Sequence, residues 1–185
     1  LIQEILDFRK AEDAGFSHTH IRRVSVSSLL RTQFEWFYPL SEQHQIQFKI
    51  DAPKELYWNT DSVYFKKILA NLISNAFKYT EDGGTVRISL HEEENFLVLK
   101  VYNTGKGIEE ADMQNIFDRY RILGTMDNDD NRQNTTRNGL GLFICHSLVQ
   151  SLGGKIDIES EVGQYAEFTV TLPFGIVEET SDNTI

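Results

Sequence analysis

The sequence predicts an α+β fold, a two-layer α/β sandwich with helices on one face of a mixed, mostly antiparallel sheet. In the first part of the chain, predicted strands and helices alternate, which is typical of a mixed sheet with helices packed against it. In the later part, predicted strands follow one another through short turns, as in antiparallel hairpins. The 40% hydrophobic fraction of the 185 residues is enough for one domain with a sizeable core.

Charge and composition narrow the range of functions. The formal net charge of −10 argues against nucleic acid and anionic membrane surfaces as partners, because phosphate groups there are held by clustered Lys and Arg. A small phosphorylated ligand is still compatible, since a few local cations and a helix N-terminus can hold one. The sequence has neither a signal peptide nor an apolar run long enough to span a membrane. Its single cysteine, Cys145, excludes an internal disulfide and is predicted to be buried.

In the first third of the chain, the sequence pattern predicts the end of one helix, three strands and one complete helix. Residues 1–12 place apolar side chains on one helical face and have the pattern of the end of a longer helix. The stretch "HIRRVSVSSLL" predicts a strand and then a helix to about Gln43, and the strands "IQFKID" and "LYWN" follow it. This helix carries Phe34, Trp36, Phe37 and Leu40, and its three aromatic residues are expected in the core.

The stretch "FKKILANLISNAFKYT", residues 65–80, predicts an amphipathic helix, with Thr60 and Asp61 supplying its N-cap and first-turn acid. Asn71, Asn75 and Lys78 project together, well away from its apolar stripe. On the residues alone, this polar stripe is either a solvated surface or a surface that faces a bound ligand. The apolar stripe has the three-four spacing of a buried face: Phe65, Ile68, Leu69, Leu72, Ile73 and Ala76.

The second half of the chain predicts a hairpin, a short helix, a long loop, a second long helix and two final strands. The hairpin strands are "TVRISLHEEE" and "NFLVLKVYN". Residues 124–138 have one apolar side chain and no periodicity, which predicts a long loop. The helix "GLGLFICHSLVQSLGG", with Asn138 as its cap and Gly153 as its stop, precedes the strands "KIDIES" and "YAEFTVTLP". The short helix carries three apolar residues: Met113, Ile116 and Phe117.

Four short stretches, in this order, resemble the motifs of the histidine kinase ATP-binding domains. "NLISNAFKYT" resembles the N box, "NTGKGI" the first glycine box, "IFDRYR" the phenylalanine box and "NGLGLFIC" the second glycine box. Their order and spacing cover roughly residues 60–172, and together they are specific although each alone is weak. The resemblance implies the Bergerat fold of the GHKL superfamily, ATP and Mg²⁺ as cofactors, and transfer of the ATP γ-phosphoryl group to a histidine in a two-component system.

The resemblance also implies roles for residues of the N box. Asn75 is expected to ligate Mg²⁺, Asn71 and Lys78 to act as catalytic residues near the phosphates, and Tyr79 to lie beside the nucleotide. One amide oxygen plus phosphate oxygens suits Mg²⁺, which keeps several waters and takes few protein ligands. Related ATPases have a water-activating glutamate at the place of Asn71. An amide cannot accept a proton as a carboxylate can, so hydrolysis is expected to be slow.

The first glycine box departs from the family at one position. Gly105 and Gly107 are expected to let the backbone come close to a flat ligand. The family has an aspartate that accepts a hydrogen bond from the adenine amino group, where this chain has Asn103. The amide can still accept, without charge assistance, and it can also donate to the oxygen of guanine. A softened adenine preference is therefore expected.

A second departure lies before the final strand, where the family usually has Gly-x-Gly-Thr. This chain reads "GQYAEF", so Tyr165 and Ala166 replace the second glycine and the threonine. Because the segment belongs mainly to the fold, this predicts altered packing rather than lost catalysis.

Phosphate contacts are expected from the last two motifs. Either Arg119 or Arg121 of the phenylalanine box reaches a phosphate, and the sequence does not choose between them. The second glycine box opens a helix whose free amide hydrogens make an anion site, and the loop before it resembles the ATP lid. The expected ligand residues at this end of the site are Arg137, Gly139, Leu140 and Gly141.

The resemblance predicts three segments and two partners. Residues 1–14 resemble the end of the dimerisation and phosphoacceptor helix, residues 15–175 the catalytic ATP-binding domain, and residues 176–185 an acidic linker or tail. No histidine begins the family's acceptor motif, so the acceptor is expected on the dimerisation domain of the same protein, outside this chain. A response regulator receiver domain is the second expected partner.

The chain begins mid-pattern at Leu1. We therefore expect it to be part of a longer protein, a cytoplasmic domain of a membrane-anchored sensor, with no direct membrane contact of its own. Two alternatives remain open from the sequence. One is a nucleotide-sensing pseudokinase or interaction module with weakened nucleotide binding, and the other is a self-sufficient ATPase of the same superfamily.

Overall fold

The structure is a computed structural model that describes residues 19–118 and 141–177. In these two ranges the helices are α1 (Val26–Gln43), α2 (Ser62–Tyr79), α3 (Glu110–Met113) and α4 (Gly141–Ser151). The strands are β1 (Arg22–Ser25), β2 (Gln47–Asp51), β3 (Tyr57–Thr60), β4 (Thr85–Glu93), β5 (Phe96–Thr104), β6 (Lys155–Glu161) and β7 (Tyr165–Pro173). None of the helices in the described ranges combines the length and the apolar character that a membrane crossing requires.

Five strands form the main sheet, in the order β2-β4-β5-β7-β6. Only β2 and β4 are parallel, and the other three neighbouring pairs are antiparallel. The short strands β1 and β3 pair antiparallel in a separate two-stranded sheet. The predicted class, a two-layer sandwich with a mixed and mostly antiparallel sheet, is therefore confirmed.

One face of the sheet carries the core, because alternate residues of each strand point to the same side. On β4 these are Val86, Ile88 and Leu90, which belong to the same buried cluster as the inner faces of α2 and α4. Helix α2 buries all six residues of its predicted apolar stripe and Phe77 besides. Cys145 on α4 is fully buried, as predicted, and burial raises the pKa of its thiol.

The prediction that Trp36 lies in the core is wrong. Helix α1 contacts the core along a line that includes Phe34 and Phe37, whose rings lie 4.4 Å from Phe48 and 5.3 Å from Phe77. Trp36 and Leu40 are four residues apart and therefore lie on one stripe of the helix surface, next to the line that contacts the core. Their side chains are 78% and 37% exposed. An isolated exposed aromatic residue on a helix is normal, and apolar character alone does not place it inside.

The N-terminus of α2 is held by a buried carboxylate. The side chain of Asp61 is the N-cap, and its Oδ1 accepts from the backbone N–H of Val63 at 2.8 Å and of Tyr64 at 3.1 Å. Its Oδ2 accepts from the backbone N–H of His20 at 2.8 Å. The cap is therefore Asp61, whereas Thr60 ends the preceding strand. One side chain thus joins the start of the described chain to the first turn of α2.

The loop after β5 packs backbone against backbone. The N–H of Gly105 donates to the carbonyl of Gln164 at 3.0 Å. A Cβ atom at Gly105 would lie 2.1 Å from the carbonyl oxygen of Tyr79, and one at Gly107 would lie 2.3 Å from that of Glu161. No side chain fits at such distances, so this loop requires glycine at both positions. The close approach seen here is to protein backbone, and the expected approach to a flat ligand stays a prediction.

Removing the carboxylate of Asp61 should destabilise the domain. We expect Asp61→Ala to lower the free energy of unfolding by about 2 kcal/mol, because three backbone N–H groups lose their acceptor. Asp61→Asn keeps one oxygen and should lose less. Urea unfolding measures the difference, with Asp157→Ala as the control, since Asp157 is exposed and forms an ion pair with the exposed Lys155. Equal midpoints for Asp61→Ala and the control would contradict this role.

The contact between Gly105 and Tyr79 predicts a second difference in stability. Gly105→Ala should cost about 3 kcal/mol, because a methyl group would overlap the Tyr79 carbonyl and force the loop off α2. Gly83→Ala is the matched control. Gly83 has a φ of +80° but open space around its Cβ position, so only the left-handed conformation is penalised, by about 1 kcal/mol. Thermal or urea unfolding in which both variants lose the same stability would exclude the overlap.

Candidate active site

The polar stripe of α2 lies beside the buried face of the same helix. Asn71 and Asn75 are half-buried, whereas Lys78 and Tyr79 at the end of the helix are exposed. The ammonium group of Lys78 lies 5.1 Å from the centre of the Tyr79 ring. Half-burial shows that the two amides are not fully solvated.

Helix α4 begins against this stripe. A Cβ atom at Gly141 would lie 3.2 Å from the Oδ1 atom of Asn71, so the glycine brings the α4 backbone close to the amide. The structure therefore places the second glycine box next to the N box, although Gly141 and Asn71 are seventy residues apart in the sequence. Gly139 and Leu140, the other predicted residues of this motif, lie outside the described residues.

The first glycine box approaches the other end of α2. Asn103, at the end of β5, is on the core-facing side of the sheet and only 5% exposed. Its Nδ2 donates to the carbonyl oxygen of Thr104 at 3.1 Å. A Cβ atom at Gly105 would lie 3.6 Å from this Nδ2 and would overlap the Tyr79 carbonyl. The buried amide of β5 and the last turn of α2 are therefore neighbours.

The replaced pair Tyr165 and Ala166 lies on two different faces of the sheet. Tyr165 is on the outer face, where its ring stacks on Tyr102 at 5.5 Å and its hydroxyl donates to Glu159 at 2.9 Å. That hydrogen bond raises the pKa of Tyr165. Ala166 is on the inner face, 5% exposed, and pairs directly with Asn103.

Sequence reasoning missed Ala166 as a neighbour of the site. The other replaced residue, Tyr165, packs on the outer face, and altered packing relative to the family stays a prediction. The period-two alternation of β7 was a usable signal, since Ala166 shares its face with the core residues Phe168 and Val170. Its position opposite Asn103 depends on strand register, which pairs residues 63 apart in sequence and leaves no local trace.

Phe117 of the phenylalanine box packs against the core. The ring of Phe117 stacks on His146 of α4 at 5.2 Å and meets Phe168 edge-on at 6.4 Å. Ile116 beside it is 2% exposed. The arginines predicted to reach phosphate, Arg119, Arg121 and Arg137, lie outside the described residues, as does the loop that was predicted to form a lid.

A surface depression of about 450 Å³ lies beside the first glycine box but does not fit an anionic ligand. It is lined by the turn at 81–84, by Thr104 to Lys106 and by the turn between β6 and β7. Glu81 and Asp82 place two carboxylates in its lining against the single ammonium group of Lys106, so the net charge of the lining is negative and disfavours phosphate groups. The amide stripe of α2 is the better candidate, because it offers amide oxygens and N–H groups next to Lys78.

Comparison with known proteins gives consistent matches. Residues 60–176 match the family described as histidine kinase-, DNA gyrase B-, and HSP90-like ATPase. The circadian input-output histidine kinase CikA of Synechococcus elongatus is 34% identical over 176 residues, which cover 94% of this chain and 23% of CikA. The sensor histidine kinase WalK of Bacillus subtilis is 32% identical over 183 residues, covering 94% of this chain and 28% of WalK. The chain thus spans about a quarter of the length of these relatives.

Solved structures have the same fold. The catalytic domain of histidine kinase ThkA matches with a TM-score of 0.70 and 25% identity, over 83% of this chain and 95% of that domain. Full-length ShkA in complex with AMPPNP matches with a TM-score of 0.72 and 25% identity, over 85% of this chain and 32% of ShkA. Nothing in these matches favours a pseudokinase. With its N box on α2 and its glycine boxes at the two ends of the stripe, the chain belongs to the family of histidine kinase-, DNA gyrase B-, and HSP90-like ATPases.

Proposed function

We propose that this chain is the ATP-binding catalytic domain of a sensor histidine kinase and transfers the γ-phosphoryl group of Mg²⁺-bound ATP to a histidine on the protein's dimerisation domain. The observation that carries the proposal is the approach of Gly141 to Asn71, which joins the polar stripe of α2 to the start of α4. A half-buried amide stripe facing a helix N-terminus is suited to a polyphosphate and its metal ion. The match to ShkA, which was solved with the ATP analogue AMPPNP, supports ATP as the ligand.

The residues of α2 fit a magnesium ion. Asn75 is half-buried and lies one helical turn from Asn71, with Lys78 less than one turn further on. Mg²⁺ takes oxygen ligands and keeps several waters, so the Asn75 amide oxygen would complete a shell made mostly of water and phosphate oxygens. When bound, the ion neutralises phosphate charge and orients the γ-phosphoryl group.

The chain's own residues position the substrate rather than activate a nucleophile. Asn71 holds a phosphate oxygen or the metal's water through its amide, and the adjacent backbone of α4 donates N–H groups. Lys78 supplies a positive point charge at the open end of the stripe. An amide at position 71 is no general base, so water is not activated and ATP is kept for the histidine acceptor. In-line positioning and charge neutralisation account for most of the catalysis in phosphoryl transfer.

The remaining expectations follow from this role. Asn103 contacts the base, Tyr79 lies beside the nucleotide, and the arginines of the phenylalanine box and lid contact phosphate. The acceptor is the dimerisation domain of the same protein, which passes the group to the receiver domain of a response regulator. The domain works on the cytoplasmic side of a membrane-anchored sensor, where ATP is available.

Loss of the Asn75 amide should remove the metal-dependent part of nucleotide affinity. We expect Mg²⁺ to strengthen ATP binding by the wild-type chain, and Asn75→Ala to abolish that gain, a loss of about ten-fold or more. Titration calorimetry with and without Mg²⁺ measures it. Ser74→Ala is the control, because Ser74 is adjacent and exposed. If Asn75→Ala binds ATP with the same Mg²⁺ dependence as the control, Asn75 is not the ligand.

Phosphoryl transfer tests the proposed function directly. The chain should phosphorylate a separately produced fragment that carries the protein's dimerisation helices, and should hydrolyse ATP slowly on its own. Asn71→Ala should slow the transfer by about a hundred-fold while leaving the chain folded. Radiolabelled phosphate on the fragment, against release of free phosphate, separates the two reactions. Fast hydrolysis by the lone chain that survives Asn71→Ala would support a self-sufficient ATPase instead.

A further inference from the structure

The inner face of β5 ends in an amide with unused hydrogen-bonding capacity. Asn103 is 95% buried, and its Nδ2 donates one hydrogen to the Thr104 carbonyl oxygen at 3.1 Å. A side-chain amide has two donor hydrogens and an oxygen with two acceptor positions, so one hydrogen and the oxygen remain. No described residue donates to this oxygen. In the described ranges, every polar side-chain atom that is fully shielded from solvent has a hydrogen-bond partner. The free edge of the amide therefore borders an opening.

The strands on both sides of β5 place apolar side chains next to this amide. Asn103 pairs with Val86 on β4 and with Ala166 on β7, and paired residues of neighbouring strands point to the same face. Neither neighbour has a polar side-chain atom. Among these three paired positions, Asn103 alone can read the hydrogen-bonding pattern of a bound group.

We propose that Asn103 reads the purine base without rejecting guanine, so that, with Ala166 beside it, the chain binds GTP as well as ATP. This inference rests on the proposed function, since it needs the nucleotide to lie in the cleft beside α2. The base edge of adenine offers an amino donor next to the N1 acceptor, and that of guanine offers the O6 acceptor next to the N1–H donor. An amide presents one donor and one acceptor side by side, and it matches either edge.

One hydrogen bond sets the observed orientation of the amide, in which Nδ2 donates to the Thr104 carbonyl and the oxygen is left for the adenine amino group. Guanine needs the opposite orientation, reached by a half-turn about the last side-chain bond, which gives up this bond and turns the amide oxygen toward the carbonyl. The loss is that of a single neutral hydrogen bond, about five-fold in affinity, and Ala166 adds no hydroxyl that would increase it. A carboxylate at position 103 would have acceptors only. It would bind the adenine amino group with charge assistance and repel the O6 atom of guanine.

Competition binding to the whole chain tests the proposal. The probe is a fluorescent ATP analogue, displaced by ATP, GTP or ITP in the presence of Mg²⁺. We expect the dissociation constants of GTP and ATP to agree within about ten-fold. ITP should resemble GTP, because it has the same O6 and N1–H edge. Asn103→Asp should move the ratio of the two constants toward ATP by about ten-fold or more, whereas Asn103→Ala should weaken both nucleotides and leave the ratio near unity.

Substitutions at position 166 test the role of the alanine. Threonine and valine have nearly the same shape, and only threonine has a hydroxyl that can bond to the Asn103 amide. Ala166→Thr should change the GTP to ATP ratio by about three-fold or more relative to Ala166→Val. Equal ratios in these two variants would overturn the role of Ala166.

Two results would overturn the proposal while leaving ATP binding intact. One is a wild-type chain that binds ATP about a hundred-fold or more tightly than both GTP and ITP. The other is an Asn103→Asp variant that has the native circular dichroism spectrum and the wild-type ratio. Should that variant not fold, the wild-type comparison of three nucleotides still decides. If no nucleotide displaces the probe or the probe itself does not bind, the proposed function fails and this inference with it.

Discussion

Helix α2 must hold one position along its axis, because its buried face and its polar stripe lie side by side on the same cylinder. The Asp61 carboxylate fixes its first turn, and the Tyr79 carbonyl abuts the backbone of Gly105 at its last turn. A shift by one residue moves a helix by 1.5 Å and turns each side chain by about 100°. Such a shift would bury Asn75 or expose Leu72. The site depends on this constraint more than on any single polar contact.

Glycines position the neighbouring elements against this helix. Gly141 lets α4 start beside Asn71, and Gly105 lets the end of β5 reach Tyr79. Both contacts bring backbone to α2 where a side chain would hold it away. Asn103 therefore lies near the last turn of α2, and Gly141 of α4 lies beside Asn71, about two turns earlier along the helix.

The sequence predicted most of the described elements and the polar stripe because both leave a local signal, although the short helix α3 ends at Met113 and does not include Ile116 and Phe117. A three-four spacing identified α2, and a period of two identified β4 and β7. What it could not predict depends on contacts between distant residues. The exposure of Trp36 depends on which side of α1 contacts the core. The hydrogen bond that the Asp61 Oδ2 atom accepts depends on the position of His20. The pairing of Asn103 with Ala166 depends on the register of β5 and β7. The roles of motif residues such as Arg119, Arg137 and Gly139 stay predictions, since these residues lie outside the described ranges.

The two amides at positions 71 and 103 have a common electrostatic explanation. The chain has a net charge of −10, and the proposed ligand carries several negative charges of its own. Two like charges 4 Å apart cost about 4 kcal/mol at the effective dielectric constant of a protein surface. A carboxylate at position 71 would add that cost next to the phosphates, and one at position 103 would also carry the desolvation cost of a 95% buried charge. An amide keeps the hydrogen bonds and avoids both costs. Under the proposed function, the lack of a proton acceptor at 71 would protect ATP from water, and the lack of a fixed acceptor at 103 would weaken the distinction between purines.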